Sequence, residues 1–394
     1  MDLPDLPSFD VSVETITAET LRSRIDGGDP VTILDTRAGS NYDDWHIDGE
    51  NVSSINVPYF DFLDDDVGDD VLAPIPTDEE VVVTCAKGHS SEFVAEKLVD
   101  MCYDAVHMRD GMEGWARLYD AVEVTRYDGS GALYQYQRPS SGCLGYLLVS
   151  DGEAAVIDPL RAFTDRYHAD VEQFGATLRY AIDTHVHADH VSGVRELAAG
   201  DGVEGILPEP TLDRGLAYAD EITTVVDGET ITVGDTAVEV VHTPGHTSGM
   251  TSYLIDESFL ATGDGLFVDS VARPDLEAGE DGAADAAETL YETLQKTVLT
   301  LPDETLVGGG HVGGDADPAA DGTYTAPLAE LVEAMDALRL DREAFVELVL
   351  ADMPPRPANY EENLGTQNVD DETAFTLELG PNNCAASSES LAGD

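Results

Sequence analysis

The sequence predicts an α/β protein with two domains. The chain has 394 residues, more than one domain of about 150 residues would use, and its hydrophobic share of 42% is that of a folded protein. Up to residue 121, short strands alternate with helical patterns, which favours a mainly parallel sheet. Beyond residue 130 the strands follow one another closely, which favours two stacked sheets with helices outside.

The first domain is predicted at residues 9–121. Its clearest strands are the β-branched and apolar runs at 31–34 and 80–84. A helix is predicted over 91–101, where apolar residues recur at helical spacing. These elements would form βαβ units.

The second domain is predicted at residues 127–325, and its strands carry the strongest pattern. Asp151 and Gly152 form the turn of a predicted hairpin. A helix is predicted over 284–298. The predicted strands are 133–137, 143–149, 154–157, 178–183, 230–233, 237–242 and 251–255.

A helical extension is predicted at 326–380, packed on the second domain, with helices at 328–338 and 342–350. Residues 381–394 are small and polar, and the sequence predicts a disordered tail there. A homo-oligomer would be compatible with this extension.

The charge balance excludes whole classes of partner. The chain has 80 acidic and 19 basic side chains, a formal net charge of −61. Binding to nucleic acid or to an anionic membrane needs a basic patch, so neither is expected. Carboxylates at this density repel one another in dilute buffer, but the Debye length is only about 3 Å at molar salt. The composition is therefore typical of a cytoplasmic protein from a halophile that accumulates salt.

Cysteine usage and the chain start agree with a cytoplasmic location. The first residues lack the basic and apolar regions of a signal peptide, and no apolar run reaches the roughly 18 residues that span a bilayer. Cys85, Cys102, Cys143 and Cys384 are widely separated, which indicates a reducing compartment rather than a disulfide framework. Cys102 and Cys143 are interpreted as packing residues, and Cys384 lies in the predicted tail.

Cys85 stands where a predicted strand meets a predicted helix. Such a junction directs several backbone N–H groups at one point, and the helix dipole adds partial positive charge. Both effects stabilise a thiolate or persulfide anion. Lys87 and His89 would strengthen this field. The loop that would cradle the sulfur consists of Ala86, Lys87, Gly88, His89 and Ser90.

Two other interpretations of Cys85 remain. A cysteine at a strand end can be a small packing residue. A cysteine-dependent phosphatase would need an arginine six residues after the cysteine to bind phosphate through two hydrogen bonds. Ser91 occupies that position, which argues against a phosphatase.

Residues 9–121 resemble a rhodanese domain. The similar segments are Leu34-Asp35-Thr36-Arg37, His46-Ile47-Asp48-Gly49, Cys85-Ala86-Lys87-Gly88-His89-Ser90 and Met108-Arg109-Asp110-Gly111-Met112-Glu113-Gly114-Trp115. The short loop after Cys85 resembles the sulfur-transferring type. The resemblance implies that Cys85 accepts a sulfane sulfur as a persulfide and passes it on.

A second chemical site is indicated by histidines that cluster in the second domain. Five of the ten histidines fall between His185 and His246. Histidines two residues apart at a strand end, followed by Asp and His in a turn, can bring several ligands together. Imidazoles with a carboxylate suit zinc or iron. The segments concerned are Thr184-His185-Val186-His187-Ala188-Asp189-His190, Thr243-Pro244-Gly245-His246-Thr247, Thr262-Gly263-Asp264 and His311.

This pattern of His, Asp and Gly segments resembles the metallo-β-lactamase superfamily, which implies an αββα sandwich with metal bound by loops. Two branches compete. A glyoxalase-II-like thioesterase would hold two zinc ions, whereas a persulfide dioxygenase would hold one Fe(II) between two histidines and a carboxylate. A third hypothesis is a non-catalytic persulfide sensor with a structural metal.

Three features favour the dioxygenase. Val186 lies where the hydrolase pattern typically has another histidine. Residues 272–276 resemble a Gly-Arg-(Pro/Thr)-Asp segment of persulfide dioxygenases, and 353–360 resemble their proline-rich segment. The segment 309–313 departs from the family, because it lacks the Asp-Tyr pair that often follows the last histidine.

The resemblance implies a bifunctional enzyme of persulfide metabolism. His185, His246 and Asp264 would bind the single Fe(II). His187, Asp189, His190 and His311 would surround it, or would hold a second metal in the two-zinc hydrolase. The reactants and products of the bifunctional enzyme would be a low-molecular-weight thiol persulfide, O₂, sulfite and thiosulfate. Arg356 could bind a carboxylate of the carrier thiol, since arginine pairs with carboxylates through two hydrogen bonds, or it could form a surface salt bridge.

Overall fold

The computed structural model of the chain describes residues 9, 11–64, 66–200, 202–214, 216, 218–313, 316–351, 353–357, 371–379 and 384–386. It divides into two compact units. The first consists of the chain up to Tyr119 with Arg138–Ser140, and the second of Asp120–Gln137 with the chain from Ser141 onward. The mixed α/β class and the two-domain organisation are as predicted.

The first unit is built on a five-stranded parallel sheet with the strand order β1-β5-β4-β2-β3. Its strands are β1 (Glu14–Ile16), β2 (Val31–Asp35), β3 (Val52–Asn56), β4 (Val81–Thr84) and β5 (Ala105–Met108). Its helices are α1 (Ala18–Asp26), α2 (Gly39–Asp44), α3 (Asp69–Leu72), α4 (His89–Asp100) and α5 (Gly111–Ala116), with a 3₁₀ turn at Tyr59–Phe62.

Apolar side chains cover both faces of this sheet, as expected for parallel strands. One cluster packs α4 against β4 through Phe93, Val94 and Val83. The other packs α1 and α5 on the opposite face through Leu21 and Trp115. The two clusters fix the β4–α4 junction from both sides, which is where Cys85 lies.

The second unit contains two mixed sheets. The seven-stranded sheet has the order β12-β11-β10-β9-β8-β7-β6, and the six-stranded sheet runs in order from β13 to β18. The strands of the first are β6 (Asp120–Glu123), β7 (Ala132–Gln137), β8 (Leu144–Ser150), β9 (Glu153–Ile157), β10 (Thr177–Ile182), β11 (Glu204–Pro208) and β12 (Thr223–Val225). Those of the second are β13 (Thr230–Val233), β14 (Thr236–His242), β15 (Thr251–Ile255), β16 (Phe259–Gly263), β17 (Leu306–Gly309) and β18 (Ala326–Pro327).

Helices cover these sheets, as predicted. They are α6 (Thr164–Gln173), α7 (Val194–Ala198), α8 (Asp275–Lys296), α9 (Leu328–Ala334), α10 (Arg342–Ala351) and α11 (Asp371–Leu377). Short 3₁₀ turns occur at Arg161–Phe163, Glu209–Arg214, Ala219–Glu221, Val298–Thr300 and Asp336–Arg339. None of the helices in the described ranges is both long and apolar enough to cross a bilayer.

The core of the second unit lies between its two sheets. Leu148 and Ile157 of one sheet and Val240 and Tyr253 of the other belong to one buried cluster. The outer face of the six-stranded sheet is covered by α8, α9 and α10 in a second cluster. This is the predicted sandwich with helices outside, and the predicted extension packs on it through α9 and α10.

Several predicted boundaries need correction. The first domain ends before residue 120 rather than at 121, because β6 pairs with β7 in the second unit. The helix predicted at 328–338 ends at Ala334 and continues as the 3₁₀ turn. Residues 384–386 do not behave as a disordered tail, since Cys384 and Ala386 are buried and Ala385 pairs with Ala272. The remainder of the predicted tail lies outside the described residues.

Candidate persulfide loop and metal centre

Cys85 follows β4 directly and lies in a pocket of donors. Its side chain is buried, and two groups point at Sγ: the Gly88 N–H at 3.1 Å and the Ser91 hydroxyl at 3.2 Å. Donors at this distance stabilise an anionic sulfur. Of the predicted loop, Gly88 supplies one of these donors; the other, Ser91, lies just beyond the loop as predicted, which ended at Ser90. Binding of a persulfide there stays a prediction.

The outer part of the loop differs from expectation. Ala86, Lys87 and His89 are exposed, whereas Gly88 and Ser90 are buried. The Lys87 ammonium lies 2.8 Å from Glu113 Oε1, so its charge is shared with a carboxylate. The backbone N–H and the hydroxyl contribute to the sulfur environment more directly than the basic side chains do.

A close backbone contact holds the loop in place. The Met112 N–H donates to the Cys85 carbonyl at 2.7 Å, and the Glu113 N–H donates to the Ala86 carbonyl at 3.0 Å. Gly111, with φ +55°, makes this approach possible, because a Cβ there would lie 2.1 Å from the Cys85 carbonyl oxygen. The segment around Gly111 thus forms one wall of the sulfur site.

Three side chains in the second unit converge on one point. His185 follows β10, His246 follows β14 and Asp264 follows β16. The Nε2 atoms of both histidines lie 3.5 Å from Asp264 Oδ2. All three side chains are almost fully buried. This is the set predicted to bind iron.

Hydrogen bonds orient both imidazoles toward that point. The Thr184 hydroxyl donates to Asp158 Oδ2 at 2.9 Å, so its oxygen accepts from His185 Nδ1, also at 2.9 Å. His246 Nδ1 donates to the Arg273 carbonyl at 3.0 Å. With the proton on Nδ1, Nε2 of each ring carries a lone pair, which is the form that binds a metal.

The charges of the three groups suit a cation. Burial, with the nearby His187, lowers the pKa of His185 to about 4, and burial also lowers the pKa of His246. Burial acts to raise the pKa of Asp264, but His311 and His185 outweigh it and hold the pKa well below its usual range. Two neutral imidazoles thus face an ionised carboxylate.

Unpaired atoms provide a direct test of whether the residues fit a metal. Among the described residues, His185 Nε2 and Asp264 Oδ2 have no hydrogen-bond partner although both are buried. Burying such groups without a partner is costly. A metal ion between them would satisfy both, so the residues present fit the group that the fold implies.

The His311 ring lies between two carboxylates and contacts both. Its Nδ1 lies 2.7 Å from Asp264 Oδ1, and its Nε2 lies 2.9 Å from Asp189 Oδ2. The same Asp189 oxygen accepts from His190 Nδ1 at 2.9 Å. Asp189, His190 and His311 therefore gather beside the first three residues, as predicted for the surrounding set.

His187 points elsewhere. Its Nε2 lies 3.2 Å from Asp158 Oδ1 and 3.5 Å from Asp183 Oδ1. Asp158 also accepts from the Thr184 N–H at 2.7 Å and has φ +52°, a backbone conformation that is strained for a residue with a side chain. Asp158 thus contacts both His187 and Thr184, and Thr184 in turn orients His185.

The interpretations of Cys102 and Cys384 were wrong, whereas Cys143 is buried as a packing residue would be but has a polar neighbour. Cys143, predicted as packing, has its Sγ 3.3 Å from Asp189 Oδ2. Cys384, predicted in the tail, is buried and lies within 4.8 Å of ligand atoms of Asp189, Asp264 and His311. Cys102, predicted in the core, is exposed. Strand and tail patterns do not reveal which buried thiols the tertiary structure brings to a polar site.

The Cys143 thiol has a distinctive electrostatic setting. Burial and Asp189 act to raise its pKa, but His311 and His190 outweigh them, so the pKa lies below its usual value. Backbone pairing holds Cys143 opposite His311. The Leu144 N–H donates to the Gly310 carbonyl at 2.7 Å.

Arg356 lies 3.7 Å from Asp275 Oδ2 and is 37% exposed. The same carboxylate accepts from the buried Arg273 at 2.8 Å. Arg273 also donates to the Pro355 carbonyl at 2.8 Å. The salt-bridge interpretation of Arg356 is therefore the one the geometry favours, and substrate binding stays a prediction.

The sequence interpretation missed the supporting residues Asp158, Asp183, Thr184 and Arg273. Asp158 carried a usable signal, because it is a charged residue directly after an apolar strand and before Pro159. Arg273 acts on His246 through its backbone carbonyl, which no side-chain pattern can reveal.

Comparison with known proteins agrees with this geometry. Residues 140–311 match the family model described as metallo-beta-lactamase superfamily, and residues 17–118 match the rhodanese-like domain. The mitochondrial persulfide dioxygenase ETHE1 of Bos taurus is 30% identical over 242 residues, covering 58% of this chain and 90% of that protein. The hydroxyacylglutathione hydrolase of Brucella anthropi is 32% identical over 225 residues, covering 52% of this chain and 79% of that protein.

Solved structures agree as well. The crystal structure of ETHE1 from Myxococcus xanthus matches with a TM-score of 0.51 and 28% identity, covering 60% of this chain and 99% of that one. A metallo-beta-lactamase from Staphylococcus aureus matches with a TM-score of 0.55 and 25% identity, covering 61% of this chain and 72% of that one. The chain therefore belongs to the metallo-beta-lactamase superfamily, among relatives that include persulfide dioxygenases and hydroxyacylglutathione hydrolases, and it carries a rhodanese-like domain in addition.

Proposed function

We propose that this chain is a bifunctional sulfur enzyme: an Fe(II)-dependent persulfide dioxygenase with a rhodanese sulfurtransferase domain that acts through Cys85. The overall oxidation would be RSSH + O₂ + H₂O → RSH + SO₃²⁻ + 2H⁺, in which O₂ accepts four electrons from sulfur. The carrier thiol RSH would be a low-molecular-weight compound.

One observation carries the choice of a single metal. Asp264 offers only Oδ2 to the two imidazoles, because His311 holds its Oδ1. A carboxylate that bridged two metals through both of its oxygens would also need Oδ1. Two imidazoles with one carboxylate are the ligands of non-haem Fe(II) oxygenases, which keep open positions for substrates. Bound there, Fe(II) would supply the one-electron chemistry that lets O₂ react with sulfur.

Neighbouring residues would orient the metal-binding side chains, and the burial of the site would exclude water. Thr184 and the Arg273 carbonyl fix the two imidazoles, and such supporting partners tune metal affinity strongly. His311 would hold a proton beside Asp264, because Asp264 and Asp189 keep the pKa of His311 well above its usual value although burial opposes this.

The rhodanese domain would move sulfane sulfur through Cys85. The Cys85 thiolate would attack the outer sulfur of a donor such as thiosulfate, forming a Cys85 persulfide and releasing sulfite. The Gly88 N–H and Ser91 hydroxyl would stabilise the resulting anion. The reverse reaction would make thiosulfate from the sulfite that the dioxygenase forms.

The alternative function is a dinuclear zinc thioester hydrolase with an accessory rhodanese domain. Asp189, His190 and His311 do gather beside Asp264, and the hydroxyacylglutathione hydrolase of Brucella anthropi supports this candidate. For His311 Nε2 to bind a second ion, its hydrogen bond to Asp189 Oδ2 would have to break.

One experiment distinguishes the two candidate functions. The protein is purified without oxygen at high salt, its metal is counted, and O₂ uptake is followed with glutathione persulfide. One iron per chain and rapid uptake support the proposal, whereas two zinc ions with thioester cleavage and no uptake overturn it. Cys85→Ala should abolish sulfur transfer from thiosulfate and leave O₂ uptake intact, and Cys102→Ser serves as its control.

A further inference from the structure

Beside the three proposed metal ligands lies a thiol that the proposed reaction does not use. Cys143, Asp189, His190 and His311 each place a ligand-type atom within 4.8 Å of the others, and all four side chains are buried. The cluster belongs to one rigidly paired region, since Cys143 pairs with His311 and the Val312 N–H donates to the Gly142 carbonyl at 3.0 Å.

The arrangement is that of a nucleophile, a base and an orienting carboxylate. His190 Nδ1 lies 2.9 Å from Asp189 Oδ2, so the Nδ1 proton is donated to the carboxylate. The other ring nitrogen, Nε2, is buried and makes no hydrogen bond to any described residue. His190 thus places an imidazole in the same cluster as the Cys143 thiol, whose Sγ lies 3.3 Å from the same Asp189 oxygen.

We propose that Cys143 is a second sulfur-accepting thiol of this chain, activated by His190 and Asp189, which takes the sulfane sulfur of a low-molecular-weight persulfide. This rests on the proposed function, because it assumes that such a persulfide reaches the metal centre. His311 places Cys143 close to that centre, since one ring contacts both Asp189 and Asp264.

The step balances without an oxidant. His190 takes the Cys143 thiol proton, and the sulfur attacks the outer sulfur of RSSH. The S–S bond of the donor breaks as the bond to Cys143 forms, and the leaving thiolate takes the proton from His190. The products are RSH and a Cys143 persulfide, so sulfur is exchanged with no net oxidation.

The experiment uses the metal-loaded full chain, kept free of oxygen so that no persulfide is oxidised. Protein in molar salt is mixed with glutathione persulfide, quenched with iodoacetamide at timed intervals, and digested for peptide mass spectrometry. The proposal expects one extra sulfur atom on Cys143, in wild type and in Cys85→Ala. Cys85 in the wild-type chain serves as the positive control for the reagent.

A matched pair of variants tests the mechanism. His190→Gln should slow labelling of Cys143 by about 10²-fold, the usual loss when a general base is removed, and leave labelling of Cys85 unchanged. Cys102→Ser, which changes an exposed thiol, should leave the labelling of Cys143 unchanged. Equal Cys143 labelling in wild type and His190→Gln would overturn the assigned role of His190.

Two further results would overturn the proposal as a whole. Cys143 could stay unlabelled while Cys85 gains sulfur, which would show that the buried thiol is inert. Alternatively, cobalt substitution could give two ions per chain with a thiolate-to-cobalt absorption band that Cys143→Ser removes, which would make Cys143 a metal ligand. Neither readout depends on O₂ uptake, so a failure here is distinguishable from a failure of the dioxygenase proposal.

Discussion

Replacing Gly111 with alanine tests how the persulfide loop is held. A Cβ at this position would lie 2.1 Å from the Cys85 carbonyl oxygen, 2.8 Å from the Gly88 nitrogen and 3.0 Å from the Ala86 carbonyl carbon. All three are backbone atoms, so no side-chain rotation can relieve the contact. The loop would have to move away from α5, and the donors that face Cys85 would move with it.

The magnitude follows from two terms. The left-handed conformation at φ +55° costs about 1–2 kcal/mol for a residue with a Cβ. Forcing a methyl group into a filled space adds about 1–3 kcal/mol. Gly111→Ala should therefore lower the free energy of unfolding of the first unit by about 2–5 kcal/mol, and it should abolish sulfur transfer.

Gly28→Ala is the matched control in the same unit. Gly28 has φ +76°, but a Cβ there would meet no atom within 4 Å. It should cost only the conformational term of about 1–2 kcal/mol and should leave sulfur transfer unchanged.

Tryptophan fluorescence suits the measurement, because the only two tryptophans of the chain, Trp45 and Trp115, both belong to the first unit. Denaturant unfolding would give the free energy for each variant. Equal losses in Gly111→Ala and Gly28→Ala would refute the argument that close backbone contact shapes the loop.

The remaining predictions concern the metal centre and the surface charge. Thr184→Val should lower metal affinity by about 10- to 100-fold in a metal-binding titration, since His185 loses the partner that fixes its ring. Thr184→Ser keeps the hydroxyl and should retain most of the affinity. Asp264→Asn should leave less than one metal per chain by elemental analysis, because the ionised carboxylate is lost, and normal loading would contradict its assignment. Lowering the salt from molar to millimolar should reduce the melting temperature, because 80 carboxylates then repel one another without screening; a melting temperature independent of salt would argue against salt adaptation.

Much of the fold could be predicted from local pattern. The hairpin at Asp151 and Gly152 is present, with φ +44° and +77°, because a two-residue turn demands residues that tolerate positive φ. The strands at Thr230–Val233 and Thr251–Ile255 match the prediction to the residue, since alternation and β-branched residues are local signals. The boundary near residue 120 was misplaced because β6 is defined by its pairing with β7, which is a contact between segments.

By itself the sequence determined which residues are candidates for the chemistry: Cys85 after a strand, and His185, His246 and Asp264 in segments whose spacing places them at strand ends. The tertiary structure alone decided what surrounds them. Cys143 and Cys384 are separated by more than two hundred residues, yet both lie beside Asp189, and the Arg273 carbonyl orients His246 from a distant loop. Local propensity depends on neighbours in the chain, whereas orientation, proton position and burial depend on atoms that only folding brings together.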